Sequence, residues 1–195
     1  MERRPRILGS FVQGTLEAID RRDPDLGRRV RERMRSETRQ AIAGASRIAF
    51  VPVDLDAELT ECLFEIAGPE RAREIFRRNL ADTLNSPLFR SFMSMALRLR
   101  GRRPGRLLDW CSKVWNQIYR DAGDMRFVAL GEREGRIELS GLPPVLTRDP
   151  RYVDGIAATV SAIFDILEMD GGAELKALDP ASGRAIISVA WDPGD

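Results

Sequence analysis

The chain contains no histidine. Histidine is the usual base of serine and cysteine hydrolases and a common ligand of zinc and haem iron. Its absence excludes Ser-His-Asp and Cys-His catalysis, and it excludes histidine-ligated zinc or haem. The sequence also lacks a P-loop and a G-x-S-x-G nucleophile elbow. We therefore expect the protein not to be an enzyme.

Cysteine is scarce, with only Cys62 and Cys111 in the chain. They are far apart, so they form neither a CxxC pair nor a disulfide framework. Both fall on apolar faces of predicted helices, which indicates buried, reduced thiols. A reactive thiol would need a nearby base or a helix N-terminus. Reduced thiols favour a reducing cytoplasm, and we expect no metal site and no cofactor.

Long apolar runs are also missing. No run reaches the roughly 18 residues of a membrane span. The basic start is followed by residues 7–16, which contain glycine, serine and glutamine and are too polar for a signal-peptide core. We expect a soluble, unexported protein that does not bind membranes.

Lysine is nearly absent, because arginine supplies all but two of the 31 basic side chains. The chain also has 30 acidic side chains, so the net charge is +1. Residues 1–120 carry 24 basic and 16 acidic side chains, whereas residues 121–195 carry 7 and 14. The two parts therefore either attract each other within the molecule or present opposite charges to partners.

Hydrophobic periodicity divides the chain into a helical part and a sheet part. Apolar residues at helical spacing predict a helix or helix-like lead-in over 7–20 and helices over 24–40, 54–67, 69–84, 87–99 and 104–121. Two hairpins, 125–142 and 173–191, flank a helix that starts at Asp149-Pro150. This order predicts an α+β fold, with about five helices in residues 1–123 packed on a ββαββ antiparallel unit in residues 124–195. We expect one compact domain.

Several short motifs resemble a family of bacterial proteins of about this length that occurs as many paralogues in myxobacteria. The motifs are Gly9-Ser10-Phe11, Phe50-Val51-Pro52-Val53-Asp54-Leu55, the helix break at Gly68, Tyr152-Val153-Asp154-Gly155 and Ser188-Val189-Ala190-Trp191. This resemblance supplies no known activity and no catalytic residue.

More distantly, helices followed by a ββαββ unit resemble small-molecule-binding domains of the vinyl-reductase type and haem nitric-oxide sensors. Only the architecture carries this second resemblance. A haem sensor of that type needs an axial histidine, which this chain lacks. The resemblance therefore implies a sensory domain without haem bound in that mode.

Aromatic and methionine side chains on two predicted helices are candidates for a ligand pocket. Trp115 and Tyr119 are four residues apart and share one helix face. Phe89, Phe92 and Met95 lie on the preceding helix. Together these five residues could line a pocket for a small apolar ligand, or they could be ordinary core.

Arginine clusters are candidates for an interaction surface. One cluster follows the predicted helix 87–99 and consists of Arg98, Arg100, Arg102, Arg103 and Arg106. Another spans residues 28–39. Either could bind phosphates, but solvated arginines or internal ion pairs are the favoured explanation of both. A pI near 7.8 and the lack of a recognised motif make nucleic acid a less favoured partner.

Acidic residues group at two helix ends. Asp54, Asp56 and Glu58 lie at a helix start, where the helix dipole favours carboxylates, so capping explains them better than metal binding. A second acidic group, at 165–170, ends the late helix and predicts a solvated end or a partner surface.

The sequence leaves three hypotheses open. The first is a non-enzymatic cytoplasmic sensory or protein-interaction domain that regulates a signalling partner, with a homodimer formed by pairing of edge strands as one possible assembly. The second is a binding module for a small apolar or anionic ligand. The third is a nucleic-acid-associated protein that uses the arginine clusters.

Overall fold

The computed structural model describes residues 4–85 and 103–192 of the 195. Within them lie eight helices: α1 (Gly9–Arg22), α2 (Pro24–Arg33), α3 (Ser36–Gly44), α4 (Val53–Ala67), α5 (Pro69–Asn85), α6 (Pro104–Ile118), α7 (Pro144–Thr147) and α8 (Pro150–Leu167). The strands there are β1 (Arg6–Leu8), β2 (Phe50–Pro52), β3 (Tyr119–Arg120), β4 (Asp124–Ala129), β5 (Glu134–Ser140), β6 (Gly171–Asp179) and β7 (Arg184–Trp191). The expected α+β class is confirmed.

The larger sheet is antiparallel, with strand order β4-β5-β7-β6. The two hairpins meet where β5 pairs with β7, which places Ile137 opposite Ile187. Alternate residues of both strands are buried, among them Leu139 and Val189. This alternation shows that one face of the sheet packs on the core, while the other is more exposed and carries mostly polar side chains.

Helix α8 covers the inner face of this sheet. Its start is fixed by Asp149, whose side chain accepts a hydrogen bond from the amide of Arg151 at 2.9 Å, with Pro150 in the first turn. Phe164 is fully buried, and its ring lies 6.1 Å from that of Trp191 on β7. Helices α4 and α5 pack against other sides of α8. Helix α8 therefore joins the helical part to the sheet.

A second, three-stranded sheet was not expected. Its order is β2-β1-β3, and Ile7 pairs with both Val51 and Tyr119. The prediction of a helix from residue 7 was therefore wrong at its start, because Ile7 and Leu8 are in β1 and α1 begins at Gly9. Strands of two or three residues are too short to show a period of two in the sequence.

Two further predictions need correction. The helix predicted over 24–40 is divided into α2 and α3, because the chain is extended at Met34 and Arg35. There the amide of Arg35 donates to Glu58 of α4 at 2.7 Å instead of continuing a helix. In addition, the short helix α7 lies between β5 and α8, so the expected ββαββ unit contains a second helix. The predicted helix 87–99 lies outside the described residues.

Ion pairs link the helical part to the sheet part, and two of the three join an arginine of the basic part to a carboxylate of the acidic part. They join Arg73 to Asp154 at 2.8 Å, Arg77 to Asp165 at 2.6 Å, and Arg148 to Glu61 at 2.8 Å. Asp165, expected to be solvated or at a partner surface, thus pairs with α5. No helix in the described ranges is both long enough and apolar enough to span a bilayer.

Gly123 provides the first test of the fold. It turns the chain between β3 and β4 with a φ of +82°, and a Cβ there would lie 2.4 Å from the carbonyl oxygen of Ser140. We expect Gly123→Ala to lower the free energy of unfolding by about 2 kcal/mol, because the turn must shift. Gly14→Ala in α1 is the control, since an added Cβ meets nothing within 4 Å there. It should raise that free energy by up to about 1 kcal/mol. Urea unfolding measures the free energy of unfolding of both variants. Effects of the same sign would contradict the close contact that the structure places at Gly123.

Candidate ligand-binding site

A chain of hydrogen bonds inside the protein joins α4, α8 and β3. The hydroxyl of Tyr152 donates to Asp56 Oδ2 at 2.7 Å. The hydroxyl of Tyr119 lies 3.0 Å from that of Tyr152 and therefore donates to it. Trp115 stacks on Tyr119 with ring centroids 4.1 Å apart, and its Nε1 donates to the carbonyl of Gly123 at 2.9 Å. We call Asp56, Trp115, Tyr119 and Tyr152 the junction cluster.

Asp56 is the ionisable carboxyl group of this cluster. It is buried, and no arginine or lysine of the described ranges forms an ion pair with it. Burial raises the pKa of Asp56 to about 6, while the hydrogen bond from Tyr152 opposes that rise. Burial and then the nearby Asp56 carboxylate raise the pKa values of Tyr119 and Tyr152. The carboxyl of Asp56 therefore changes charge close to neutral pH, whereas both hydroxyls stay protonated.

The structure brings together two of the five predicted pocket residues. Trp115 is buried and Tyr119 is half-buried, and both make the contacts described above. Phe89, Phe92 and Met95 lie outside the described residues, so the pocket they would complete stays a prediction.

Asp56 was not predicted as a site residue. It was interpreted as a helix cap, but its side chain bonds to Tyr152, 96 residues later in the chain. One local signal could have found it, since Asp56 lies three and seven residues before the buried Leu59 and Leu63 and so shares their face of α4. Its partner could not be found from sequence spacing.

An open cleft of about 510 Å³ lies among the first three helices and the loop after α3. Helix α1 contributes Gln13, Leu16 and Glu17, helix α2 contributes Arg31, helix α3 contributes Arg39, Ile42 and Ala43, and the loop contributes Arg47. We call it the arginine cleft. Leu16 and Ile42 are buried and form its apolar floor, while Ala43 is exposed at its edge.

Polar contacts between the helices fix the walls of the cleft. Gln13 Nε2 donates to the carbonyls of Ile42 at 3.0 Å and Ala45 at 2.8 Å, which ties the end of α3 to α1. Gly27 allows α2 to approach α1 closely, because a Cβ at this position would lie 2.1 Å from Asp20 Oδ1. The cleft is therefore bounded by helices whose spacing is set by specific contacts.

The three cleft arginines differ in how their charge is compensated. Arg31 forms a two-point ion pair with Asp20, and Arg47 pairs with Glu17 at 2.6 Å. Arg39 donates to the carbonyl of Arg31 at 2.7 Å and forms no ion pair with any described residue. The cleft therefore contains one positive charge without a carboxylate partner.

The remaining predicted arginines pair with carboxylates, are exposed, or lie outside the described residues. Within 28–39, three arginines outside the cleft pair with carboxylates, namely Arg28, Arg33 and Arg35. Arg103 and Arg106 are exposed, and Arg98, Arg100 and Arg102 lie outside the described residues. Cys62 is buried, Cys111 is half-buried, and both are free, as expected. In the part of the chain that the structure covers, no group of three or more cysteine or carboxylate side chains could hold a metal ion.

Comparison with known proteins shows the fold. No family model matches the chain, and no curated protein matches it. Among solved structures, it is similar to an oxygen-binding H-NOX domain related to soluble guanylate cyclases, with 16% identity, a TM-score of 0.64 and 96% of both chains covered. It is also similar to a mutant of the Fe(II) unliganded H-NOX protein from K. algicida, with 10% identity, a TM-score of 0.64 and coverage of 96% of this chain and 97% of that one.

A mutant of the T. Tengcongensis H-NOX matches at 12% identity and a TM-score of 0.60, covering 96% of this chain and 98% of that one. The chain therefore has the H-NOX fold along almost its whole length. The expected likeness of its architecture to haem nitric-oxide sensors is confirmed at the level of the fold.

The junction cluster predicts how stability depends on pH. An unfolded aspartate has a pKa near 4, and burial raises that of Asp56 to about 6 in the fold, so the folded state binds more protons between these values. The free energy of unfolding should therefore fall by about 2–3 kcal/mol through Asp56 alone as pH rises from 4 to 7. Asp56→Asn keeps an acceptor for Tyr152 but cannot ionise, so it should remove this part of the slope.

Urea unfolding across this pH range measures the difference between the variant and the wild type. Asp54→Asn, an exposed carboxylate two residues earlier in α4, is the matched control and should keep the wild-type slope. An Asp56→Asn protein with the wild-type slope would show that the carboxyl does not titrate as described.

Proposed function

We propose that the protein is a small-molecule-binding sensory module that uses the H-NOX fold without histidine-ligated haem. The arginine cleft is its ligand site. The observation that carries the proposal is this cleft, in which an apolar floor, fixed walls and one uncompensated arginine lie together. The module acts as a sensor rather than an enzyme, and its two free cysteines suit the reducing cytoplasm.

The donor atoms of the described residues do not fit haem iron. Some of the similar H-NOX structures concern haem and its distortion, but this chain has no histidine. Burial raises the pKa of Cys111 to about 12 and also raises that of Cys62, so both thiols stay protonated. The junction-cluster tyrosines are likewise protonated and hydrogen-bonded to each other. The three described methionines pack in or against the hydrophobic core.

The dimensions and lining of the cleft support a small ligand. Small-molecule sites usually occupy about 300–1,000 Å³ and combine apolar walls with a few placed polar groups. The arginine cleft, at about 510 Å³, has both features. A ligand there would contact α1 and α3 at the same time, so its binding would alter how these helices pack.

Contacts lead from the cleft to the sheet, which is what a sensor requires. The start of α3 is held to α4 because Glu58 accepts hydrogen bonds from Thr38 at 2.7 Å and from the Arg35 side chain at 2.6 Å. Helix α4 is held to α8 by the bond between Asp56 and Tyr152, and α8 lies on the sheet. Movement of α3 on ligand binding can therefore be passed to α8 and the sheet through contiguous contacts.

Nucleic-acid association has less support. Arginines bind phosphates when their guanidinium groups are available on one surface. In the 28–39 stretch, Arg28, Arg31, Arg33 and Arg35 each pair with a carboxylate. A partner surface at Arg103 and Arg106 remains a prediction from the sequence.

The haem part of the proposal is tested by titrating the purified protein with hemin. We expect no saturable change in the haem absorption spectrum, because the described thiols and hydroxyls are protonated and histidine is absent. A one-to-one complex with a shifted haem band would overturn this part, and its persistence in a Cys111→Ala variant would show that the ligand is another residue.

The ligand-binding part is tested with the dialysable small molecules of a bacterial extract. The protein is incubated with this fraction and examined by native mass spectrometry under gentle and then denaturing conditions. We expect a mass excess that denaturation removes. Ala43→Phe should abolish it by filling the cleft, whereas Ala41→Phe, an exposed residue of α3 outside the cleft lining, should retain it. A clean mass for the wild type, or equal behaviour of the two variants, would contradict the assignment.

A further inference from the structure

We infer that the ligand of the arginine cleft is a small organic anion with one negative charge on an apolar body, such as a medium-chain or aromatic carboxylate. The inference rests on the proposed function and specifies the class of ligand. It assigns the recognition of the anionic group to Arg39.

The charges in and beside the cleft set the charge of the ligand. Arg31 and Arg47 are neutralised by Asp20 and Glu17, respectively. Arg39 uses Nη1 to bond the carbonyl of Arg31, which leaves most of its five N–H donors for other acceptors. One carboxylate on the ligand would therefore compensate the positive charge of Arg39, through a charge-assisted hydrogen bond with its guanidinium group.

Ligands with more negative charge fit poorly. Glu17 lines the cleft, and Asp20 binds Arg31 next to it. A second negative charge would meet these carboxylates, or would have to displace one of them from its arginine. Inorganic phosphate and polyphosphates are therefore disfavoured.

The apolar floor of the cleft favours an apolar body for the part of the ligand that does not carry the charge. Leu16 and Ile42 are buried beneath it, and Ala43 borders it. An apolar body lying on this floor would remove its own apolar surface from water, which contributes about 25 cal/mol for each Å². A small hydrophilic anion such as acetate would lack this contribution.

Arg39 is held in place by the structure rather than being a mobile surface side chain. Its Nη1 bond to the carbonyl of Arg31 spans from α3 to α2 at 2.7 Å, and the residue is half-buried. Its guanidinium is therefore positioned before a ligand arrives, which reduces the entropy lost on binding.

The experiment compares octanoate, octanol and inorganic phosphate by isothermal titration calorimetry. Octanoate and octanol have apolar chains of similar length and differ in charge. We expect octanoate to bind at least about tenfold more tightly than octanol, since a charge-assisted hydrogen bond contributes that much or more. Phosphate should not compete with octanoate. Equal binding of octanoate and octanol, or tight binding of phosphate, would overturn the inference.

Arg39→Gln then tests the residue. It should weaken the binding of octanoate by about tenfold and leave the binding of octanol unchanged, because it removes the charge of Arg39 but not the apolar floor. Arg29→Gln, an exposed arginine of α2 outside the cleft lining, is the control and should bind both as the wild type does. Equal effects of the two substitutions on octanoate would overturn the role of Arg39. Far-ultraviolet circular dichroism checks that each variant is folded.

Ala43→Phe keeps the inference testable if Arg39→Gln does not fold. It should reduce octanoate binding while Ala41→Phe does not, and failure of that contrast would overturn the inference. The outcomes also separate the two proposals. If extract ligands bind in a manner sensitive to Ala43→Phe, but octanoate shows no advantage over octanol, the proposed function stands and the ligand class is wrong. If neither binds, both are wrong.

Discussion

The structure depends on helix α8 being buried on more than one side. A four-stranded antiparallel sheet needs a covered face, and α8 covers it with Phe164 and neighbouring apolar residues. Helices α4 and α5 pack on other sides of α8, and α6 packs directly on β4, so the helical part reaches the sheet through both α8 and α6. A change in how α4 lies on α8 therefore alters one of the two contacts between the parts.

One polar contact lies within this packing. Burying Asp56 without a cation is unfavourable, and its raised pKa expresses that cost. Tyr152 offsets part of the cost by donating to the carboxylate, and Tyr119 extends the bond to β3. A hydrophobic residue could fill the same space without this cost. The carboxylate adds a directional hydrogen bond that fixes α4 relative to α8. The strength of this bond changes with the charge of Asp56.

The sequence predicted the elements whose signals are local. The cap at Asp149-Pro150 and the long apolar stripe predicted α8. Alternation in residues 136–142 predicted the hairpin that contains β5, and the turn at 179–183 predicted the hairpin that contains β7. The short sheet of β1, β2 and β3 could not be predicted, since its strands exist only because distant segments pair. The break at Arg35 depends on Glu58, which lies 23 residues later.

The candidate site shows the same limit more strongly. The sequence predicts the arginine-rich stretch 28–39 as a candidate interaction surface, but nothing in the sequence distinguishes Arg39 from its neighbours. The distinction arises from tertiary contacts, because Asp20 compensates Arg31 while Arg39 reaches a backbone carbonyl. Likewise, Gly27 is important because of the carboxylate opposite it, not because of a turn in the chain.

A shared fold and a shared ligand are separate properties in this chain. Similarity at 10–16% identity shows that the backbone follows the H-NOX arrangement, but the backbone does not ligate iron. Ligation depends on side chains. This chain has no histidine, burial keeps its two thiols protonated, and Tyr119 and Tyr152 bond to each other and to Asp56. The junction cluster still couples the helical part to the sheet. In the proposed function, the ligand acts by altering the packing of α1 to α4, and the arginine cleft lies among the first three of those helices.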